Sequence, residues 1–185
     1  MSNREEDQRQ HINSVIHTRL QGWLESISST GFAREISERL SLDTVDVTGV
    51  ELIGQENQTR ATRTAQSTVT LSITVTEDMC NPLGNLHGGC GAWLVDHCSS
   101  FALLALAGDG ERWTTSGVST NLNLNYLKAA PIGTRLKIVT EVLNFGRVTS
   151  LLETKIFNAE TNQLLTVGWH TKQDPQVKST SKAKL

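Results

Sequence analysis

Three places in the sequence carry residue types that could do chemistry together: Asn81, the tripeptide His87-Gly88-Gly89, and Asp96. Asp96 stands among Trp93, Leu94, Val95, Phe101 and Leu103. A carboxylate is seldom drawn into apolar surroundings without a partner, because losing water raises its free energy steeply. It is therefore either a base or nucleophile, or it is held structurally by His97, a lysine or a backbone donor. His87-Gly88-Gly89 supplies the complementary group. Glycines at a helix start let another molecule approach the backbone. The first N–H groups of a helix lack intrahelical partners and carry the positive end of its dipole. Such donors can polarise a carbonyl oxygen and stabilise the oxyanion that grows on it. Taken singly, Gly88-Gly89 also fits a tight turn, and His87 a loop histidine satisfied locally.

The elements that must position these residues follow from periodicity. Residues 1 to 44 read as helical, with Ile12, Val15, Ile16, Leu20, Trp23, Leu24 and Ile27 at three- and four-residue steps. From 45 the period falls to two. A strand is expected over Val45 to Ile53 and another around Val69, Leu71, Ile73 and Val75, with the polar Gln55 to Thr64 as a loop between them. Pro82 and Gly84 punctuate the segment from Cys80 to His87. A helix is expected over Gly88 to Ala107. Four strands then follow, marked by Val118 to Tyr126, by Leu136, Ile138 and Val142, by Val148, Leu152 and Ile156, and by Leu165, Val167 and Trp169. Short connections make them antiparallel. The central helix is apolar on most sides, so it belongs inside the fold. One long helix wrapped by a curved antiparallel sheet, in an α+β domain, satisfies this order.

Bulk properties agree with that reading. A chain of 185 residues fits one domain, and a domain of this size hides roughly 70% of its unfolded surface. The formal net charge of −2 gives no basic excess for nucleic acid. Cys80, Cys90 and Cys98 are odd in number and unpaired in spacing, which argues for reduced thiols rather than a disulfide framework. The acidic start is neither a secretory signal nor a basic presequence. The apolar run Cys90 to Ala107 is interrupted by Asp96, His97, Ser99 and Ser100, which argues against a membrane span. Cys80, His87, Cys90, His97 and Cys98 lack the paired close spacing of a zinc site, so no metal is expected. Ser99 and Ser100 do not sit in a Gly-x-Ser-x-Gly elbow, and no Gly-Lys-Ser/Thr completes a phosphate loop.

Asn81-Pro-Leu-Gly-Asn-Leu-His87-Gly-Gly89, with Asp96 in the following helix, resembles the signature of hot-dog-fold thioesterases of the phenylacetate-pathway type. Gly117 to Pro131 is similar to that family's strand after the helix, and the likeness covers residues 45 to 173. The resemblance implies a hot-dog fold and hydrolysis of acyl-CoA thioesters without a metal or separate cofactor, coenzyme A being part of the substrate. It implies that Asp96 acts as general base on water or as nucleophile, and that Gly88 N–H binds the carbonyl oxygen. Asn81 and His87 would orient the thioester and its loop, and Ser119 the attacking water. It also implies homotetramers built as pairs of dimers. The residues themselves point to a dimer. Gly88 and Asp96 are eight positions apart, ~12 Å along a helix axis, so one thioester carbon cannot touch both unless two chains share each site.

Two other readings stand beside this one: a hot-dog enoyl-thioester hydratase or dehydratase using His87 and Asp96, and a catalytically silent acyl-CoA-binding module. Lys128, Arg135, Lys137, Arg147 and Lys155 could meet coenzyme A phosphates or form solvated strand faces. The stretch from Asp174 onward reads as a disordered basic tail. It ends in Ala183-Lys184-Leu185, close to the Ser-Lys-Leu peroxisomal address. The expectation is a peroxisomal protein with an import receptor as partner, or a cytoplasmic one if the tail is not read.

Overall fold

The computed structural model describes residues 3–28, 31–54, 58–107 and 113–175. In chain order it contains α1 (Asn3–Ser28), α2 (Arg34–Ser37), β1 (Ser41–Ile53), β2 (Gln58–Thr74), a short 3-10 turn (Glu77–Met79), α3 (Gly88–Leu106), β3 (Val118–Tyr126), β4 (Arg135–Phe145), β5 (Thr149–Asn158) and β6 (Leu164–Gln173). The six strands form one antiparallel sheet in the order β1-β2-β4-β5-β6-β3. α3 packs against one face of it. Leu94, Phe101 and Leu103 of the helix are buried against Leu71, Leu136, Ile138, Leu152 and Ile156 of the strands. By length and composition α3 is also apolar enough to cross a membrane; in this fold the sheet covers most of that apolar surface.

The close approach of helix and sheet depends on Gly168 of β6. A Cβ built there would meet Val95 Cγ1 at 3.0 Å and Leu124 Cγ at 3.1 Å. A larger residue there would require Val95 of α3 and Leu124, in the neighbouring strand, to give way by a few tenths of an ångström.

Three segments follow a different course from the one the sequence suggests. β1 begins at Ser41 rather than Val45. The polar stretch expected as a loop over Gln55 to Thr64 is strand from Gln58 on, because β1 and β2 continue as a paired ribbon from Val50↔Ala61 to Ile53↔Gln58. Backbone pairing there outweighs the absence of an apolar face. Third, Asp174 is buried, and its Oδ2 accepts the Trp113 N–H at 2.7 Å. The rest of the expected tail, residues 176–185 with Ala183, Lys184 and Leu185, lies outside the described residues.

α1 buries Ile12, Ile16, Leu20 and Leu24 in a stripe one residue wide; Trp23, expected on that face, is exposed. Its polar flank lies along the outer edge of β1. Asn13 Oδ1 accepts Val47 N–H at 3.0 Å, and the His17 ring meets Leu42 O at 3.3 Å. Arg19 reaches the far end of α3, donating to Leu104 O, which also accepts the Ala107 N–H, and to Ala105 O.

Candidate active site

The N-terminal end of α3 is built by the loop that precedes it. Asn81 Oδ1 accepts Leu83 N–H at 2.9 Å and Asn85 N–H at 3.3 Å, folding the loop on itself. This commits the oxygen of Asn81 and leaves its amide hydrogens to donate. His87 is the N-cap: its Nδ1 accepts the Gly89 N–H at 2.9 Å. An imidazole that accepts at Nδ1 carries its proton at Nε2 when neutral. Tyr126 of β3 completes the turn. Its hydroxyl donates to Gly88 O at 2.7 Å, and its ring lies 3.6 Å from where a Gly88 Cβ would stand.

Two turns further along α3, Asp96 is half-exposed. Ser119 Oγ donates to Asp96 Oδ1 at 3.2 Å. Behind them is a buried histidine, His170 of β6. Its Nε2 lies 2.9 Å from Ser119 Oγ and 3.4 Å from Asp96 Oδ1, and its Nδ1 lies 2.7 Å from Ser99 Oγ. The proton order follows from what the carboxylate needs. Ser99 Oγ also lies 2.9 Å from the Asp96 main-chain oxygen, so its one hydrogen goes either there or to His170 Nδ1; with Ser99 donating to Nδ1 and His170 Nε2–H donating to Ser119, the Ser119 hydrogen is left for Asp96. The reverse order would face Asp96 with a lone pair. Burial lowers the proton affinity of His170; nearby Lys172 lowers it further and Asp96 opposes. The ring is therefore neutral near pH 7, as this proton order requires.

Of the residues singled out in the sequence, Asp96 and Ser119 meet directly, and Gly88 and His87 share the helix start. These two groups sit at opposite ends of ~12 Å of one helix. His97 does not pair with Asp96. It stacks on Trp93 with ring centroids 4.6 Å apart and meets Ser37 Oγ at 3.2 Å. Burial drives the His97 proton affinity down to about 4. Burial raises the thiols of Cys90, to about 11, and of Cys98, so neither is a ready nucleophile. Among the described residues no cluster of His, Cys, Asp and Glu could hold a metal ion.

Sequence reasoning missed His170, Lys172 and Tyr126. It marked β6 by Leu165, Val167 and Trp169. Leu165 is buried, but beyond it Thr166, Gly168, His170 and Lys172 are the buried positions and Val167 and Trp169 are only half-buried. The signal was an alternation with its polar members inside.

Comparison with known proteins identifies the family. The Thioesterase superfamily model matches residues 83–165. Human acyl-coenzyme A thioesterase 13 is 35% identical over 108 residues, which are 58% of this chain and 74% of that protein. The chain belongs to the thioesterase superfamily. The crystal structure of mouse thioesterase superfamily member 2 has 33% identity and a TM-score of 0.51, covering 57% of this chain and 80% of that one. The zebrafish thioesterase superfamily member 2 covers 83% of this chain and 94% of its own with a TM-score of 0.63; at 23% identity it speaks to the fold alone. In this thioesterase-superfamily chain, α3 thus carries a carboxylate with a serine donor midway along it and the Gly88 N–H at its start.

Proposed function

We propose that the protein hydrolyses acyl-CoA thioesters at a site made from Asp96 and Ser119 of one chain and Gly88, His87 and Asn81 of a second. A thioester is already activated toward attack, so a carboxylate, a water and an oxyanion donor suffice. Ser119 and Asp96 hold the water. As its oxygen bonds to the thioester carbon, Asp96 accepts the proton and the carbonyl oxygen takes the negative charge. Gly88 N–H, with the Asn81 amide, offers hydrogens to that oxygen. The C–S bond then breaks, the proton passes to the thiolate, and free acid and coenzyme A leave. A direct attack by Asp96 through an acyl anhydride uses the same groups.

The observation that carries this reading is the Ser119–Asp96 hydrogen bond at 3.2 Å, backed by the neutral, buried His170. It supports a carboxylate oriented for chemistry rather than locked in a buried ion pair. Asp96→Asn, nearly isosteric, is expected to abolish release of free coenzyme A while circular dichroism and Tm stay near those of the parent. Undiminished hydrolysis by that variant would sink the assignment.

The family resemblance further suggests a homotetramer made of two such dimers and a place in fatty acid metabolism. No cofactor beyond the coenzyme A of the substrate is called for. Ala183-Lys184-Leu185 supports import into peroxisomes. A fluorescent reporter ending in those residues is expected to become punctate, and one that stays diffuse in the cytoplasm argues against it.

A further inference from the structure

β3 begins out of step with the rest of its length. Tyr126, Leu124 and Leu122 pair with Thr166, Gly168 and His170 of β6, and those three partners are buried. Side chains alternate along a strand, so the even-numbered positions of β3 face α3. Tyr126 accordingly bonds Gly88 O, and Leu124 lies beside Gly168. Unbroken alternation would set Thr120 opposite Lys172, on the face toward Asp96, and would turn Ser119 away with Asn121 and Asn123. The structure has the reverse: Ser119 Oγ lies 3.2 Å from Asp96 Oδ1 and 2.9 Å from His170 Nε2. The cause is a β-bulge. The ladder passes from Ser119↔Lys172 directly to Asn121↔Thr171, so Thr120 is one residue more than β6 can pair. Both sides of the bulge are fixed. Gly117, at φ +69°, sits so close to the end of β6 that a Cβ there would come within 2.8 Å of Gln173 O and 2.7 Å of the Trp113 ring. Trp113 is buried and donates to Asp174 Oδ2 and to Gly146 O. At the bulge itself, Thr120 Oγ1 donates to Thr171 O at 3.1 Å, pinning the surplus residue to the neighbouring strand.

We propose that Thr120 is a positioning residue of the hydrolase: as the surplus residue of the bulge, clasped to Thr171 O, it turns Ser119 rather than its own side chain toward Asp96. The inference rests on the reading of Ser119 and Asp96 given above. Thr120 does not touch Asp96; it acts through Ser119 alone. The competing register, a straight strand, would offer Asp96 a threonine hydroxyl on a β-branched side chain with restricted χ1, and would send the serine to the far face of the sheet. The Thr120 hydroxyl bond exists only in the bulged register as drawn, so it favours the one that holds the serine beside the carboxylate.

A double-mutant cycle tests this. Thr120 is exposed, and Thr120→Val keeps its shape and its fitness for a strand while deleting the hydroxyl. Its kcat for release of free coenzyme A should fall about fivefold with KM nearly unchanged. Thr120→Ser, which keeps the hydroxyl, should stay near the parent. The same Thr120→Val change is then made in Ser119→Ala, where the side chain to be positioned is gone, and there it should cost nothing further. A parental kcat in Thr120→Val overturns the inference. So does an equal fold loss in both backgrounds, which would mark a general effect on the strand. The two readings fail separately: an active Asp96→Asn removes the function assigned to the site, whereas an inactive Asp96→Asn with a parental Thr120→Val removes only the role of the bulge.

Discussion

The peptide unit between Gly88 and Gly89 is clamped at both ends, its carbonyl by the Tyr126 hydroxyl and its N–H by His87 Nδ1. The preceding peptide, which carries the Gly88 N–H, is fixed in turn because His87 O accepts Gly91 N–H at 2.9 Å. The donor is thus aimed before any substrate arrives, which is what makes an oxyanion contact effective. Tyr126→Phe keeps the ring against Gly88 and deletes one hydrogen bond, worth about 1 kcal/mol. It should lower kcat about fivefold with KM nearly unchanged; steady-state kinetics that show the loss in KM alone would rule the clamp out of the transition state. Legibility at this scale depended on contrast. Asp96 is the single acid in an apolar helix and stands out. Ser119 is one hydroxyl among the Ser, Thr and Asn residues of β3, and only family likeness picks it out. His170 and Lys172 escaped because Val167 and Trp169 mimic an inward register while the true inward positions are polar.

The elements were more legible than their edges. A run of apolar residues between Gly88 and Leu106 reads as one buried helix because no strand has that length. β3 through β6 read as strands because turn residues separate their alternating segments. What periodicity could not show was the first half of β2, where Thr59 and Ala61 flank Arg60 and pairing with β1 extends the strand. Nor could it show the use made of α1. Its apolar stripe is legible, but the sequence does not say that Asn13 and His17 would bond the outer edge of β1, or that Arg19 would cap the end of α3. The extension therefore covers one edge of the sheet, a common way to keep a strand from pairing with strangers.

The other edge of the sheet is left bare. β3 is exposed along nearly its whole length, carries no charged residue or proline, and leaves Val118, Leu122, Tyr126 and Leu127 open to solvent. An uncharged edge strand of this kind is a pairing surface, and the ~12 Å between Gly88 and Asp96 explains why a second copy would be needed there. The sharing of sites can be tested by complementation. Gly88 is the first residue of α3, where proline is tolerated and where it removes the N–H; His87, at φ −65° and ψ 135°, already has the extended conformation that a following proline requires. Gly88→Pro and Asp96→Asn should each be inactive alone. If each site takes Asp96 from one chain and Gly88 from the other, mixed dimers contain one intact site and one doubly damaged site. Equal co-expression of the two should then restore about a quarter of the parent activity, since half the dimers are mixed and half their sites are whole. If both groups serve a site within one chain, no mixed dimer has an intact site, and the mixture stays as inactive as its components.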